Sequence, residues 1–339
     1  MINRLGRIVS AKSIDFIERE IPEIGEYQVL IRIKASCICG SDLHIYKDKH
    51  PAVKPPVTIG HEFAGEVVKI GSEVSNVKIG DRVTVEPVIT CGKCSACRHG
   101  DYGYCENISF TYRCGDGAMA DYFIGNAERV FKLPDEISYE EGALVEPMAV
   151  ALHAVKRSNI RLGDKVAVIG AGAIGIFVAA ICRYLGAAEV VVSDFSEFRL
   201  DIARQMGATR TVCASKEDME KVISDMSGGK GFDKAFECVG MEQTFNQAIR
   251  SVRTNGLVTD IGIFEKQQVT FDASILVKKE IRIQGSQGYC WDFDDAVRLI
   301  GELKAKRLIT HYFPLDRLKE AFDTLMLPGS NAIKVCLIP

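Results

Sequence analysis

Four cysteines stand close together in a polar stretch that is punctuated by glycine: Cys91, Cys94, Cys97 and Cys105. Their C-x2-C-x2-C-x7-C spacing brings four thiolates within reach of one tetrahedral ion, the arrangement that a structural Zn²⁺ prefers. A disulfide framework is the alternative, but such frameworks belong to small secreted domains. This chain has 339 residues and shows no signal peptide over Met1–Ser10, so the spacing predicts a structural zinc site.

A second group of potential metal ligands lies upstream of this cluster. The segment Cys39–His44 (CGSDLH) is followed by Gly60–Glu62 (GHE), so a thiolate, an imidazole and a carboxylate occur in what we expect to be two short loops. Three mixed ligands with a free fourth position describe a catalytic zinc rather than a structural one. A core cysteine and a hydrogen-bonded histidine would explain either motif alone. Together, and beside the four-cysteine cluster, the motifs favour a catalytic metal site.

The charge balance and the apolar content of the chain limit the kinds of partner that it can bind. Its 42 basic and 45 acidic residues nearly balance, giving a net charge of −3. No basic stripe offers a footprint for nucleic acid, and no apolar run approaches membrane-spanning length. Most cysteines outside the two motifs lie in apolar surroundings, which is typical of a reducing cytoplasm. We therefore expect a cytoplasmic protein with small-molecule partners and two domains.

The pattern of elements changes in the middle of the chain. Up to about Met148 it consists of short strands separated by turn residues; for example, Val29, Ile31 and Ile33 alternate with polar neighbours. This half should be a mostly antiparallel, barrel-like domain. From Arg161 onward, strands alternate with helices, which indicates a parallel sheet. The predicted elements there are strands at 165–169, 189–193, 211–213, 234–238, 257–261 and 281–284, and helices at 173–185 and 196–206. After two further helices, a terminal strand around 333–338 should return to the first domain.

A glycine motif follows the first of these parallel strands. Gly170-Ala171-Gly172-Ala173-Ile174-Gly175 lies between a predicted strand and a predicted helix, which is the context of a dinucleotide site. The first glycine makes a tight turn, the second lets the backbone approach a pyrophosphate, and the third permits close packing of helix on strand. An ordinary strand–helix turn is the alternative.

Asp194 ends the next predicted strand, where its carboxylate can accept hydrogen bonds from an adenosine ribose. A 2′-phosphate would meet like charge there, so NAD is favoured over NADP. Arg199 lies beside the adenine or is a solvated helix residue. Cys238, Gly240 and Ile261 end or follow two later strands, and we expect their backbones to approach the nicotinamide side of the cofactor.

Taken together, these motifs resemble the zinc-dependent medium-chain dehydrogenase/reductase family, and within it the sorbitol, butanediol and related polyol dehydrogenases. The resemblance covers essentially the whole chain and also rests on Val85–Pro87 and on Gly142–Ala149, which contains Glu146-Pro147. It implies an α/β protein with a GroES-like, β-rich catalytic domain (1–150 and 293–339). A Rossmann NAD-binding domain with a doubly wound parallel sheet (151–292) lies between its two parts.

The resemblance also implies roles for individual residues. Cys39 and His61 would bind the catalytic zinc with a carboxylate, and members of the family differ in whether the residue matching Glu62 or the one matching Glu146 binds directly. Asp42 would orient His61. The zinc-bound alcohol would lose its proton through Ser41 and the cofactor ribose to His44, and hydride would pass to NAD.

The expected function is therefore zinc-dependent hydride transfer between NAD(H) and a secondary alcohol or ketone, with one catalytic and one structural zinc per chain. Sorbitol dehydrogenases carry an arginine where Gly288 stands, so a small vicinal diol is preferred over a long polyol. Threonine, a sugar acid or a cyclic polyol is an alternative substrate. A zinc-free reductase and a non-catalytic zinc- and dinucleotide-binding protein are the competing classes. The resemblance implies a homo-oligomer, dimer or tetramer.

Overall fold

The computed structural model describes residues 1–50 and 52–339, without the side chain of Cys114. Its strands are β1 Ile2–Ser10, β2 Ser13–Glu20, β3 Gln28–Cys37, β4 Val57–Thr58, β5 Glu62–Ile70, β6 Arg82–Val85, β7 Val88–Ile89, β8 Ser109–Phe110, β9 Tyr122–Asn126, β10 Val130–Lys132, β11 Lys165–Ile169, β12 Glu189–Asp194, β13 Arg210–Cys213, β14 Phe232–Glu237, β15 Val252–Asp260, β16 Arg282–Gly285, β17 Ile309–Pro314 and β18 Lys334–Ile338. Its helices are α1 Gly40–Tyr46, α2 Ser95–Arg98, α3 Thr111–Cys114, α4 Tyr139–Gly142, α5 Val145–Ser158, α6 Ala173–Tyr184, α7 Glu197–Gln205, α8 Met219–Ser227, α9 Glu242–Ser251, α10 Ser274–Lys279, α11 Phe293–Glu302 and α12 Leu318–Met326.

These elements form two compact units. Unit 1 comprises Met1–Pro147 and Cys290–Pro339, and unit 2 comprises Met148–Tyr289. None of the helices in the described residues has the length and apolar character needed to cross a membrane.

Unit 1 is built mainly of antiparallel strands, as the alternating pattern predicts. Its largest sheet has the order β10-β6-β5-β3-β18-β17, with β9 also paired to β3. The predicted terminal strand does return to this sheet, because β18 pairs with β3 at Cys336 and Cys37. Val29, Ile31 and Ile33 are buried in the same hydrophobic cluster as Phe63, where full burial of each large apolar side chain stabilises the fold by about 1.5–3 kcal/mol.

Unit 2 contains a six-stranded sheet in which every pairing is parallel, in the order β13-β12-β11-β14-β15-β16. Numbered from β11, this is the order 3-2-1-4-5-6 of the Rossmann fold. The central strands β11 and β12 are rich in β-branched residues and buried, as expected for a sheet covered by helices on both faces. The order reverses between β11 and β14, and ligands of such sheets bind at the carboxyl ends of the strands near this point.

Candidate active site

The first candidate metal site is assembled by two adjacent antiparallel strands of unit 1. In the pairing of β3 with β5, Cys37 lies opposite Glu62. Cys39 therefore follows the end of one strand, while His61 immediately precedes the other and Glu62 begins it. Ligand atoms of Cys39, His61 and Glu62 all lie within 4.8 Å of one another.

The segment after Cys39 is not the short loop that we expected. Residues 40–46 form helix α1, with Cys39 as its N-cap. Asp42, at the third helical position, accepts a hydrogen bond from the backbone N–H of Cys39 (3.0 Å), which satisfies one of the donors left open at a helix start. Ser41 and His44 are half-buried and stand three residues apart on this helix, so their side chains are neighbours on one face.

His61 is almost completely buried, and its Nδ1 lies 3.6 Å from Oδ1 of Asp42. This distance is too long for a hydrogen bond, and both atoms lack a hydrogen-bond partner within the described residues. Burial alone would lower the pKa of His61, but Asp42 and Cys39 raise it well above its usual value. Burial raises the pKa of Asp42. The imidazole is thus held beside negative groups in a dry setting.

Glu62 has a partner that the sequence analysis did not identify. The ammonium group of Lys334, at the start of β18, donates to both carboxylate oxygens of Glu62 and to the carbonyl oxygen of Ile38 (3.2 Å). Both charged side chains are buried. Burial alone would lower the pKa of Lys334, but Glu62 and Cys39 raise it above its usual value, so the pair is ionic. In the sequence, this partner could have been suspected from Lys334, the single charged residue in the otherwise apolar segment Ile333–Ile338.

The other carboxylate, Glu146, lies in the first turn of α5 and is buried. The N-terminal end of a helix stabilises negative charge there. The negative charge of Glu146 raises the pKa values of His61 and Tyr112, although closer groups contribute more to both shifts. The ring of Tyr112 lies 5.3 Å from that of His61 and forms an aromatic wall that the sequence did not predict.

A zinc ion suits this donor set. Thiolate, imidazole and carboxylate are zinc ligands, and three protein ligands leave a position for substrate. The buried Nδ1 of His61 faces the Asp42 carboxylate at 3.6 Å, which is the outer-shell partner that a metal-binding histidine normally has.

The four-cysteine cluster forms the second candidate metal site. The sulfur atoms of Cys91, Cys94, Cys97 and Cys105 lie within 4.8 Å of one another, compared with about 3.8 Å expected around one tetrahedral zinc. Backbone N–H groups donate to the sulfurs of Cys91 (3.4 Å) and Cys105 (3.3 and 3.4 Å). N–H donation from Lys93 and Cys94 lowers the pKa of Cys91 to about 6. At Cys91 the backbone thus favours the thiolate that a metal requires, whereas burial and the neighbouring thiols raise the pKa of Cys97.

The segment Cys91–Cys105, which we call the four-cysteine lobe, is held against the rest of unit 1 by a network of hydrogen bonds and an ion pair. Glu86 accepts a hydrogen bond from the hydroxyl of Tyr102 (2.6 Å) and pairs with Arg129 (2.6 Å), whose guanidinium lies 4.2 Å from the Tyr102 ring centroid. The indole N–H of Trp291 donates to the carbonyl oxygen of Gly100 (2.6 Å). None of these contacts involves Cys39, His61 or Glu62, so the four-cysteine lobe is held in place independently of the first candidate metal site.

The glycine motif of unit 2 has the geometry of a phosphate-binding loop. Gly170 has φ +100° and leaves β11 in a tight turn. A side chain at Gly172, the N-cap of α6, would meet no atom within 4 Å, so the backbone there faces open space. A side chain at Gly175 would lie 1.9 Å from the carbonyl oxygen of Gly170, so only glycine lets helix and strand approach this closely. Ile174 lies in the first turn of α6, whose free N–H groups attract phosphate.

Asp194 ends β12 and is tied to this loop. Its carboxylate accepts hydrogen bonds from the backbone N–H groups of Ala171 (2.8 Å) and Ser196 (2.9 Å). Arg199 lies half-buried in α7, and its backbone N–H donates to the Ser196 hydroxyl that caps the helix (3.4 Å). The structure therefore places a negative charge beside the glycine loop and a cation on the following helix.

Cys238, Gly240 and Ile261 lie together at the carboxyl ends of β14 and β15. The backbone N–H of Cys238 donates to the carbonyl oxygen of Ile169 (3.0 Å), and that of Ile261 donates to the carbonyl oxygen of Glu237 (2.9 Å). Gly240 has φ +86° and packs against the backbone of Ile263. Cys238 and Gly240 follow β14, which lies beside β11, and Ile261 follows β15, one strand further from β11.

Two family models match the chain. The alcohol dehydrogenase GroES-like domain matches residues 25–135, and the zinc-binding dehydrogenase model matches residues 173–302. A sorbitol dehydrogenase of Bacillus subtilis (strain 168) is 33% identical over 325 residues, 94% of this chain and 92% of its own length. An L-threonine 3-dehydrogenase of Shewanella putrefaciens (strain CN-32 / ATCC BAA-453) is 36% identical over 328 residues, 95% of each protein.

Solved structures are similar over nearly the full length. A 2R,3R-butanediol dehydrogenase from Bacillus subtilis has a TM-score of 0.89 and 36% identity, with 99% of each chain covered. A zinc-binding dehydrogenase from Sinorhizobium meliloti 1021, bound to NADP, has a TM-score of 0.92 and 31% identity, with 100% of each chain covered.

Proposed function

The chain belongs to the zinc-dependent medium-chain dehydrogenase/reductase family, in its polyol dehydrogenase branch, and from this premise we propose that it oxidises a small secondary alcohol with NAD⁺. The substrate we propose is a vicinal diol or the corresponding hydroxyketone. The observation that carries the proposal is the convergence of Cys39, His61 and Glu62 ligand atoms within 4.8 Å. A binding protein without catalysis would have no need of a three-ligand set with an open position.

Cys39, His61 and Glu62 would hold the catalytic zinc. Zinc, when bound there, supplies Lewis acidity that favours the alkoxide form of the alcohol. Lys334 would keep Glu62 in place, because it binds both carboxylate oxygens. Glu146 stands close enough to act electrostatically on His61 and would reach the metal through water. This assigns direct binding to Glu62 and a supporting role to Glu146.

Ser41 and His44 would carry the alcohol proton away. They stand three residues apart on α1, so their side chains are neighbours on one helix face. Ser41 lies two residues after Cys39 in the sequence. An imidazole is suited to this task because its ordinary pKa lies near neutrality. Asp42, on the same helix, would orient His61 through its carboxylate, which faces Nδ1 at 3.6 Å.

The preference for NAD⁺ over NADP⁺ is supported by Asp194. Its carboxylate lies beside the glycine loop, where an adenosine ribose hydroxyl would be accepted and a 2′-phosphate repelled. The Sinorhizobium structure was solved with NADP, so members of this fold differ in this respect. Ile174, Arg199, Cys238, Gly240 and Ile261 complete the dinucleotide site that we propose for unit 2.

The substrate proposal rests on the segment after β16. Gly288 has no side chain to bind the distant hydroxyls of a long polyol, and the similar butanediol dehydrogenase acts on a four-carbon diol. L-Threonine is the second candidate, because a threonine dehydrogenase shares 36% of its residues with this chain.

The test is reduction of NAD⁺, and separately NADP⁺, by zinc-loaded protein against butanediols, sorbitol, L-threonine and simple secondary alcohols. We expect turnover with NAD⁺ that a chelator removes, with 2,3-butanediol ahead of sorbitol. L-Threonine as the best substrate would replace the diol assignment. No reduction of NAD⁺ or NADP⁺ with any of these substrates would contradict the proposal.

Location and assembly follow the same premise. We propose a cytoplasmic location, which the free state of the described cysteines supports, and a homo-oligomer, dimer or tetramer, which the family resemblance implies. Mass measurement in solution decides the assembly.

A further inference from the structure

Unit 2 contains a cavity of about 480 Å³ whose walls are rich in cations. Its charged lining consists of Arg157, Arg161, Lys234, Arg253 and Arg282, with two aspartates. Asp164 immediately precedes β11, and Arg282 begins β16. The cavity thus lies at the amino ends of the parallel strands, whereas the glycine motif follows their carboxyl ends. It is separate from the proposed dinucleotide site.

Strand register sets the spacing of two of these cations. Lys234 of β14 lies opposite Leu257 of β15, which in turn lies opposite Arg282 of β16. Residues in register on neighbouring strands point to the same face, and strands lie about 4.8 Å apart. The backbones of Lys234 and Arg282 are therefore about 10 Å apart, with an apolar leucine between them. This leaves room for a ligand between two positive groups.

The aspartates are already engaged by other groups. Asp233 accepts from the backbone N–H of Lys165 (2.8 Å) and pairs with Arg253 (2.7 Å). Asp164 accepts from the backbone N–H of Arg161 (2.9 Å). Five cations against two carboxylates leave an excess of positive charge. The carboxyl end of α5 adds only about half a negative charge.

Lys234 is the least compensated of these groups. The residue is 9% exposed, but its ammonium nitrogen is not among the fully buried polar atoms, so solvent still reaches it. Burial lowers its pKa; Asp164 opposes this effect, and the nearby Arg282 and Arg161 add to it. Neither Arg161 nor Arg282 has an ion-pair partner among the described residues. An ammonium that is partly desolvated beside two other cations is destabilised, and a bound anion would offset that effect.

We infer that this cavity binds a small phosphate ester, with its phosphate between Lys234 and Arg282 and its organic part against the apolar side chain of Leu257. Arginine binds phosphate through two parallel N–H···O bonds, and a phosphate carries more charge than a carboxylate. The volume is that of a small-molecule site and exceeds what inorganic phosphate alone would fill. Nothing in the hydride-transfer reaction uses these residues, so the site is an additional one.

Calorimetric titration of the full-length, zinc-loaded protein tests this inference. Saturating NADH is present throughout, so that the phosphate-binding loop at Gly172 is filled. The probes are glucose 6-phosphate, inorganic phosphate and, as the neutral control, glucose. We expect one glucose 6-phosphate per chain, weaker binding of inorganic phosphate, no binding of glucose, and a loss of affinity as salt is raised.

Three variants locate the binding. Lys234→Met and Arg282→Gln should each weaken glucose 6-phosphate at least about tenfold, whereas Lys221→Met, on the exposed face of α8, should not. Lys234→Met removes a partly desolvated charge and should fold at least as stably as the parent. Arg282 is exposed, so its variant should fold too. Absence of binding, or binding that both cavity variants leave unchanged, would overturn the inference.

Discussion

Cys39 is the residue on which the proposed chemistry depends most directly. It caps α1 at the end of β3 and has no role in the four-cysteine lobe. Replacing Cys39 with Ser should abolish turnover and remove one of the two zinc ions expected per chain, while the fold and the other zinc remain. Metal analysis and circular dichroism measure this.

Cys213→Ser is the matched control, because Cys213 ends β13 outside both metal-binding groups. Its zinc content should equal that of the parent. Unfolding of Cys39→Ser protein, or full zinc content in it, would contradict the division into two metal sites.

The buried pair of Glu62 and Lys334 leads to a stability prediction. Removal of one partner of a buried ion pair costs about 3–5 kcal/mol, because the other charge stays buried without compensation. Lys334→Met should therefore lower the free energy of unfolding of the metal-free protein by about this amount. Urea denaturation measures it. The double variant Lys334→Met/Glu62→Gln should recover much of the loss, and no recovery would argue against the pair as its cause.

Asp194 should determine the choice of dinucleotide. Asp194→Asn keeps a carbonyl oxygen for one of the two backbone N–H groups that the carboxylate binds and removes the charge. We expect the ratio of kcat/KM for NAD⁺ to that for NADP⁺ to fall at least about tenfold. The same change at the exposed Asp201 of α7 is the control. An unchanged ratio in Asp194→Asn would assign selectivity to another residue.

At the scale of elements, the ends of β14 and β15 place two carboxyl groups side by side. Asp260 lies opposite Glu237 in the parallel register. Burial and the neighbouring Glu237 raise the pKa of Asp260 to about 7. The folded protein therefore keeps a proton that the unfolded chain releases at about pH 4. This contribution to stability is complete below pH 4 and is lost as the pH rises through about 7.

Asp260→Asn tests this pair. The amide can donate to Glu237 as the protonated acid does, and it does not titrate. The parent should lose free energy of unfolding between pH 5 and pH 8, and the variant should not. The difference, variant minus parent, should therefore increase over this range when chemical denaturation is measured at each pH. A difference that is independent of pH would show that Asp260 does not hold a proton in the folded protein.

The sequence predicts some elements of this fold well and others poorly. Strands β11 and β12 of unit 2 are rich in β-branched residues, so their positions follow from local pattern; β11 has the predicted limits, Lys165–Ile169. Helix α1 was expected as a loop, because its seven residues are too few for an apolar period and its start is capped by a cysteine. Its capping interaction between Cys39 and Asp42 is visible only in three dimensions.

Contacts between distant residues account for most of what the sequence did not predict. The Glu62–Lys334 pair joins residues 272 positions apart, and its formation depends on β18 lying beside β3. The cationic cavity likewise depends on the register of β14, β15 and β16. Ligand spacing within one segment, as in the Cys91–Cys105 lobe, is a local property and could be read from the chain directly.

At the scale of the whole molecule, the candidate chemistry is divided between the two units. All candidate metal ligands belong to unit 1, and all proposed dinucleotide contacts belong to unit 2. A dehydrogenase needs both, because the metal activates the alcohol and the dinucleotide takes the hydride. Loss of zinc should therefore abolish hydride transfer and leave dinucleotide binding in place.

The most direct test is to remove zinc from the protein, return it in steps, and follow NADH formation from NAD⁺ and 2,3-butanediol alongside NADH binding. We predict that the zinc-free protein binds NADH but does not turn over, and that activity returns as zinc is restored in the parent but not in Cys39→Ser. Equal rates of NADH formation with and without zinc would contradict the assignment of the Cys39, His61 and Glu62 group as a catalytic metal site.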